Sequence, residues 1–485
     1  MRRTVTALGT VLLVGSLSLA GDLPGWSTDG TTSYSSAVVI QNVSDTVAVV
    51  NIAYPAATDH QMTVPAGTSH TQYVNDGSGG PWGVAALVTS DVPIVATQNF
   101  LTWDPNGGTQ WASHSGGVAS PSKTWYLAEG CTYGGFQSIL TIRNPNEQPA
   151  EVGVTYTVPG AHVSGPSVSV CPYGQRQIVV SDTVADCSSI GAIVTSDVPV
   201  IAQLTTYWNG GAASTSTMGA PSAATTWYLA EGNTASWSGF ETWITVQNPT
   251  SDPAEVHVQF IGDGVKQTGP TFTVAPVSQD VFNAADYFPE HTHFATVVTA
   301  SSPILAVQSK RWESEQGYDG TMGVNTPSSQ WYFPSAQSHL EASSWIAVQS
   351  VEDTSTTVTI DYVTEHGSLD RQTVSLDPFA HQTISLPDEL AGQTPIAVVV
   401  NSAQPILAQQ GQCWETGSGT YHDTMFGATA PSTIWYLPAT PQAQSQLGPF
   451  GTAGGATAGD RDGDGVPDDE DFCPDYPGSA EMNGC

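Results

Sequence analysis

Basic residues are scarce: the 485-residue chain carries 10 Lys and Arg against 44 Asp and Glu. Nucleic acid is therefore not an expected partner, because binding it rests on cations that neutralise phosphates. Only 11% of residues are charged, so the acidity reflects missing bases rather than a disordered acidic polymer. After the first twenty residues no apolar stretch reaches the roughly 18 needed for a bilayer-crossing helix, and no direct membrane span is expected. Gly-x-Ser-x-Gly elbows, Cys/His nucleophile patterns and glycine-rich phosphate loops are also missing. The expectation is a protein that is not an enzyme.

What is present begins with a leader. Met1-Arg2-Arg3 precedes an apolar run from Val5 to Leu19 without an acid, which ends in small residues at Ser18-Leu19-Ala20. That layout predicts a signal peptide over 1–20 and a secreted, extracellular or cell-surface location. Loss of Arg2 and Arg3 leaves 44 acids against 8 bases, a net charge of −36.

Trp-Tyr pairs at 125, 227, 331 and 435 lie 102, 104 and 104 residues apart. A period of about 100 residues is long enough for each copy to close its own core. Alternating strands recur, as in Phe136-x-Ser138-x-Leu140-x-Ile142 and Val152-x-Val154-x-Tyr156, and period two means one buried face. Asn144-Pro145 and Asn248-Pro249 between such runs predict hairpins. Further on, two apolar strands flank a turn holding Pro93, Pro199, Pro303 or Pro405, and the second runs to Trp103, Trp208, Trp312 or Trp414. In the second copy the reading is seven strands: 124–129, 136–143, 150–158, 166–170, 175–181, 190–196 and 199–207.

The predicted fold is all-β: four tandem antiparallel immunoglobulin-like β-sandwich domains plus a small irregular calcium-binding module. A Greek-key barrel is the alternative. The domains are expected at 21–122, 123–224, 225–329 and 330–440, the last with a trailing Trp-Tyr strand. That strand leaves the phase of the repeat open, since no fifth unit follows it. A linker over 441–459 and the module over 460–485 complete the chain.

Trp-Tyr-Leu-Ala-Glu-Gly at 125 and 227, then Gly-Phe, Asn-Pro and Ser-Asp-Val-Pro, resemble the secreted Trp-Tyr-x-Ala-Glu-Gly repeat proteins of actinobacteria and related lineages, which are of unassigned function. The resemblance implies an extracellular location and no activity. Glu129 and Glu231 hold matching places and could be taken for catalytic acids. Ser335 and Ala439 replace them in the other copies, which favours a turn or cap role. The recurring tryptophans fit core or inter-domain anchors, with Trp237 and Trp243 the better candidates for exposed glycan contacts. His291-x-His293, near Asp286 and Glu290, is a weak transition-metal signal.

Six cysteines in an exported chain suggest disulfides. Strand direction places Cys131 and Cys187 at one end of the second unit and Cys171 at the other, which predicts a Cys131–Cys187 bridge. Cys171 and Cys413 are expected to stay reduced.

Near the C-terminus, Asp460, Asp462, Asp464, Gly465, Val466, Asp468 and Asp471 fall at positions 1, 3, 5, 6, 7, 9 and 12 of a calcium loop of the EF-hand kind. Carboxylates at alternate residues, with Gly465 for the turn and the Val466 carbonyl, suit Ca2+ better than Mg2+. Asp471 in place of a bidentate Glu, and Cys473-Pro474 where a helix should follow, argue against a true EF-hand. The string resembles a thrombospondin type 3 repeat, and the resemblance implies calcium on the five aspartates and a Cys473–Cys485 bridge. The function expected from the sequence is an elongated structural or adhesive protein. Its partner would be a cell-surface or matrix protein or glycan. Glycan binding, or self-assembly into a filament or surface layer, are the alternatives.

Overall fold

A computed structural model describes residues 33–438 apart from short segments at 55–58, 74–84, 104–108, 209–212, 263, 313–316, 337, 340–341, 391–394 and 417–418. The described chain is almost wholly strand, with a few one-turn 3-10 helices. None of its helices is long and apolar enough to cross a membrane.

Each unit is two four-stranded sheets that share one long strand. In the second unit that strand is Ile190–Trp208. Its first half pairs with the Trp-Tyr strand Ser122–Gly130 and with Ala150–Val158, whose outer neighbour is Ala161–Val170. Its second half pairs with Gln137–Arg143 and with an inner strand, Ala213–Met218, while Gln175–Val179 flanks Gln137–Arg143. The core lies between the sheets, where Trp125, Leu140, Ile142, Val154, Tyr156 and Leu204 pack together. Three more long strands, Ala86–Trp103, Phe294–Trp312 and Ile396–Thr416, organise the other units in the same way, the fourth adding a short strand, Ser338–His339, beside Ala342–Ser350.

Two local expectations are corrected here. The apolar strands on either side of Pro93, Pro199, Pro303 or Pro405 are one continuous strand that passes through a register shift in the Pro region, as between Thr195 and Val200. Pro lacks the N–H for a regular ladder, so it sits where the strand bends from one sheet to the other. Nor do the two alternating strands form hairpins. Gln137–Arg143 and Ala150–Val158 lie in different sheets, each against the long strand, so the Asn-Pro turn is an arch over the core.

The arch has a recurring fastener. Buried Asn144 donates through Nδ2 to the carbonyls of Gln148, Val170 and Cys171 at 2.8, 3.0 and 3.0 Å. Asn42 and Asn248 repeat the pattern, and Gln349 reaches three carbonyls in the fourth unit. Asn144→Ala would strand buried acceptors, and a loss of about 1–3 kcal/mol is expected by urea denaturation. A loss under about 0.5 kcal/mol would show that the arch holds without its amide.

The phase of the repeat is settled by the last Trp-Tyr strand. Ser432–Leu437 pairs antiparallel with the first unit's Ala86–Trp103, setting Trp435 opposite Val88 and Leu437 opposite Ala86. Trp435 and Leu437 belong to the first unit's core. Each unit thus contains one Trp-Tyr strand, supplied to the first unit from the far end of the chain. The expected boundary that left this strand on the fourth unit is corrected accordingly. The four indoles do the same work: Trp125, Trp227, Trp331 and Trp435 donate to the carbonyl just after the bend proline, at Val200, Ile304, Ile406 and Ile94.

The units form a closed ring, not the extended row that tandem repeats suggested. The inner strands Thr109–Gly116, Ala213–Met218, Gly317–Met322 and Gly419–Phe426 touch in cyclic order, first to second, third, fourth and back to first. Thr217 Oγ1 donates to the Gly320 carbonyl at 3.0 Å and Thr321 Oγ1 to that of Thr424 at 3.1 Å, while the His114 N–H donates to Asp423 at 2.8 Å.

Candidate functional site: the joints between units

The recurring geometry of the units places buried polar groups at the joints. Past Tyr126, Tyr228 and Tyr332 the Trp-Tyr strand carries a bulge, with Leu127 to Gly130 opposing Ala192 to Ile190 in the second unit. An extra residue re-aims its side chain, and here it turns Glu129 toward the third unit. Glu129 and Glu231 have φ of 76° and 62°, a left-handed backbone uncommon for residues other than glycine. The buried Glu129 carboxylate accepts from Thr245 Oγ1 at 2.6 Å and from the Tyr318 hydroxyl. Burial, and then the Glu129 charge, push the Tyr318 phenol well above its ordinary range. Ser335 is the counterpart at the joint between the fourth and first units, where it accepts from Asn99 Nδ2. These side chains are inter-unit clamps, and the turn or cap role expected for Glu129 and Glu231 gives way to that.

Aromatic rings seal the same joints. The inner-strand residue Tyr318 meets Phe136 and Trp208 of the second unit at centroid distances of 5.5 and 5.7 Å. His422 meets Phe240 and Trp312 of the third at 5.6 and 5.0 Å. Trp208 and Trp312 are thus the anchors their recurrence indicated. Burial, with the Lys310 charge adding, lowers the His422 imidazole to about 4.

A buried charged cluster lies on the inner strands. Asp319 faces Lys310 Nζ at 3.8 Å and accepts from Thr424, while Asp423 pairs with His114 at 3.1 Å. Burial raises the Asp319 carboxyl to about 6, with Asp423 adding to the shift and Lys310 and Thr424 opposing it.

The histidine motif works differently from its reading in sequence. His291 and His293 lie in a bend before Phe294, not on one strand face. His291 stacks on Phe288 at 3.6 Å, and Glu290 accepts from the Ser236 N–H. His293 instead comes together with Glu231 and with His381 of the fourth unit, their ligand atoms within 4.8 Å of one another. His381 was not legible as a partner, because it lies 88 residues on in the chain and only the ring brings it close.

Trp237 is 78% exposed, as expected of a surface aromatic. Trp243 is half-buried, with Arg311 5.3 Å from its ring centroid. Cys131 and Cys187 are reduced thiols, which corrects the predicted bridge. Their loops do meet, through Thr132 N–H to the Cys187 carbonyl at 2.8 Å. Each sulfur is directed to a carbonyl of its own loop, at Tyr133 and Ser189, and a disulfide requires the side-chain vectors to face as well. Burial pushes the Cys131 thiol up to about 11. Cys171 is disulfide-bonded, contrary to expectation. Cys413 Sγ lies 3.9 Å from His422 Nε2. The calcium loop, Asp460, Asp462, Asp464, Val466, Asp468 and Asp471, and the cysteines Cys473 and Cys485, lie outside the described residues, as does Ala439.

Fold and joints together define an all-β protein of four repeated two-sheet units whose neighbours are joined by buried polar and aromatic contacts. Residues 200–457, which are 258 of the 485, match a family of unknown function, DUF5719, and the chain belongs to that family. No curated protein matches it. Solved structures with some likeness include Thermotoga maritima 1070, at 19% identity over 21% of this chain and 94% of that one, with a TM-score of 0.19. The Anabaena sensory rhodopsin transducer is 16% identical over 18% of this chain and 96% of its own, with a TM-score of 0.16. A tetra-tandem repeat from the extending region of a large adhesion protein is 11% identical over 83% and 96%, with a TM-score of 0.11.

Proposed function

We propose that the chain is a secreted, non-enzymatic structural or adhesive scaffold, a closed ring that carries a calcium-binding C-terminal module. The observation that supports this most is the closure by Ser432–Leu437. It pairs the last described strand with the first unit, so the described chain ends where it began, on the ring. The joint carboxylates Glu129 and Glu231 are buried and bonded to neighbouring units, an arrangement suited to assembly rather than to turnover. The Trp-Tyr strand is consumed internally, which weakens the filament reading. Glycan binding retains one supporting feature, the exposed Trp237.

Small-angle scattering with and without Ca2+ tests the reading. A compact particle whose dimensions do not change with calcium is expected, and an elongated profile would overturn it. In parallel, Asp464→Ala with Asp468→Ala should abolish calcium binding while the ring's melting transition stays in place. Unchanged affinity would remove the module from the proposal.

A further inference from the structure

The same two positions face each other at three of the four joints, and their chemistry differs each time. One is the residue just before the long strand: Ser189 precedes Ile190 opposite Gly130, His293 precedes Phe294 opposite Gly232, and Pro395 precedes Ile396 opposite Ala336. The other, from the next unit, is Gln279 opposite Gln247, His381 opposite Gln349, and Ser69 opposite Gln41. Between the second and third units Gln279 Nε2 donates to Ser189 Oγ at 2.7 Å. Between the fourth and first Ser69 Oγ donates to the Pro395 carbonyl at 3.4 Å. Both are ordinary neutral contacts. Between the third and fourth the pair becomes two imidazoles, stacked at 4.8 Å and 11°.

A carboxylate completes this third joint. Glu231, held in left-handed backbone at the bulge, places Oε1 3.6 Å from His381 Nε2. That oxygen is buried and accepts no hydrogen bond among the described residues, which is costly for a carboxylate unless something else satisfies it. Trp345 Nε1 donates to the other oxygen at 3.4 Å and orients the group, as outer partners orient metal ligands. Two imidazoles and one carboxylate are the donor set of Zn2+ and related divalent transition metals, and nitrogen ligands disfavour Ca2+ and Mg2+.

We propose that Glu231, His293 and His381 form a transition-metal site that pins the third unit to the fourth. Tetrahedral zinc places its ligand atoms about 3.4 Å apart, from Zn–N distances of about 2.0–2.1 Å. Glu231 and His381 already stand near that separation, and the exposed His293 ring turns out of its stack to close the third side. Water takes the fourth position.

The test uses the purified full chain, stripped with chelator and held in excess Ca2+ so that the C-terminal aspartates are not available to zinc. Zn2+ is titrated against a chromophoric competitor, and Co2+ absorption reports the coordination geometry. One equivalent of zinc and a tetrahedral cobalt spectrum are expected. His293→Ala, at an exposed position, should keep the metal-free melting temperature and weaken zinc binding by more than the roughly 10–100-fold that loss of an outer-shell partner costs. His381→Gln, which copies Gln279, should do the same, and His291→Ala should bind as the natural chain does. Zinc should raise the melting temperature of the natural chain and not that of His293→Ala. No zinc uptake, or uptake that survives His293→Ala, overturns the site.

Discussion

A chain ended at Pro431 is expected to lose the independent stability of its first unit and to self-associate. The truncation removes the strand that pairs Ser432 with Ile94 and Leu437 with Ala86. It also removes the reciprocal backbone bonds of Tyr436 with Val118, at 3.0 and 2.8 Å, and opens a core otherwise capped by Trp435 and Leu437. An unpaired edge over apolar residues is a template for another chain. Trp435→Ala isolates the side-chain share: it loses the bond to the Ile94 carbonyl at 2.8 Å and a buried indole, a change that costs about 3–5 kcal/mol in other cores. Hydrogen exchange over 86–103 should register the opening, and light scattering the association. A synthetic peptide spanning 428–440 should reverse both. Trp125→Ala is the control, since its strand is contiguous with its own unit: it should lose similar stability without associating. A monomeric truncation with native exchange over 86–103 would rule out closure by this strand.

Two buried groups at the inner strands should give the chain opposite responses to pH. Asp319 is raised from 3.8 to about 6. Between those values the folded state holds the extra proton, so stability from this group falls as pH rises and is fully lost above about 6. His422 is lowered from 6.5 to about 4. Across that window the unfolded state holds the extra proton, so its contribution grows as pH rises. At about 1.4 kcal/mol per unit each amounts to about 3 kcal/mol, and in the natural chain they largely offset. Asp319→Asn should therefore tilt the profile upward from pH 4 to 6.5 relative to the natural chain, and His422→Phe should tilt it downward. The amide still accepts from Thr424 but leaves the Lys310 ammonium less well paired. Parallel profiles for the two variants and the natural chain would refute the assignment.

Pattern in the sequence carried the local physics. Period-two alternation marked the strands at 150–158 and 137–143 because one face must be buried. The 102- to 104-residue recurrence of Trp-Tyr marked the repeat because each copy needs the same indole beneath the same bend. Replacement of Glu129 by Ser335 at matching places pointed to a structural place for the carboxylate, and the structure puts both side chains at joints between units. The inner strand Ala213–Met218 escaped notice, since its polar run ASTSTM has no apolar face to alternate. Its burial comes from neighbouring units, which no local pattern records.

What the sequence determined by itself was the all-β class, the four copies, and the buried faces and tryptophans, because these follow from alternation and side-chain size within a few tens of residues. The tertiary structure alone decided that the Asn-Pro turns are arches, that the last Trp-Tyr strand belongs to the first unit, and that the row closes into a ring. It alone brought His381 to His293 and Glu231. Each of these depends on which surface meets which across a hundred residues or more of chain. That choice is made by the fit of whole sheets, and periodicity is silent on it.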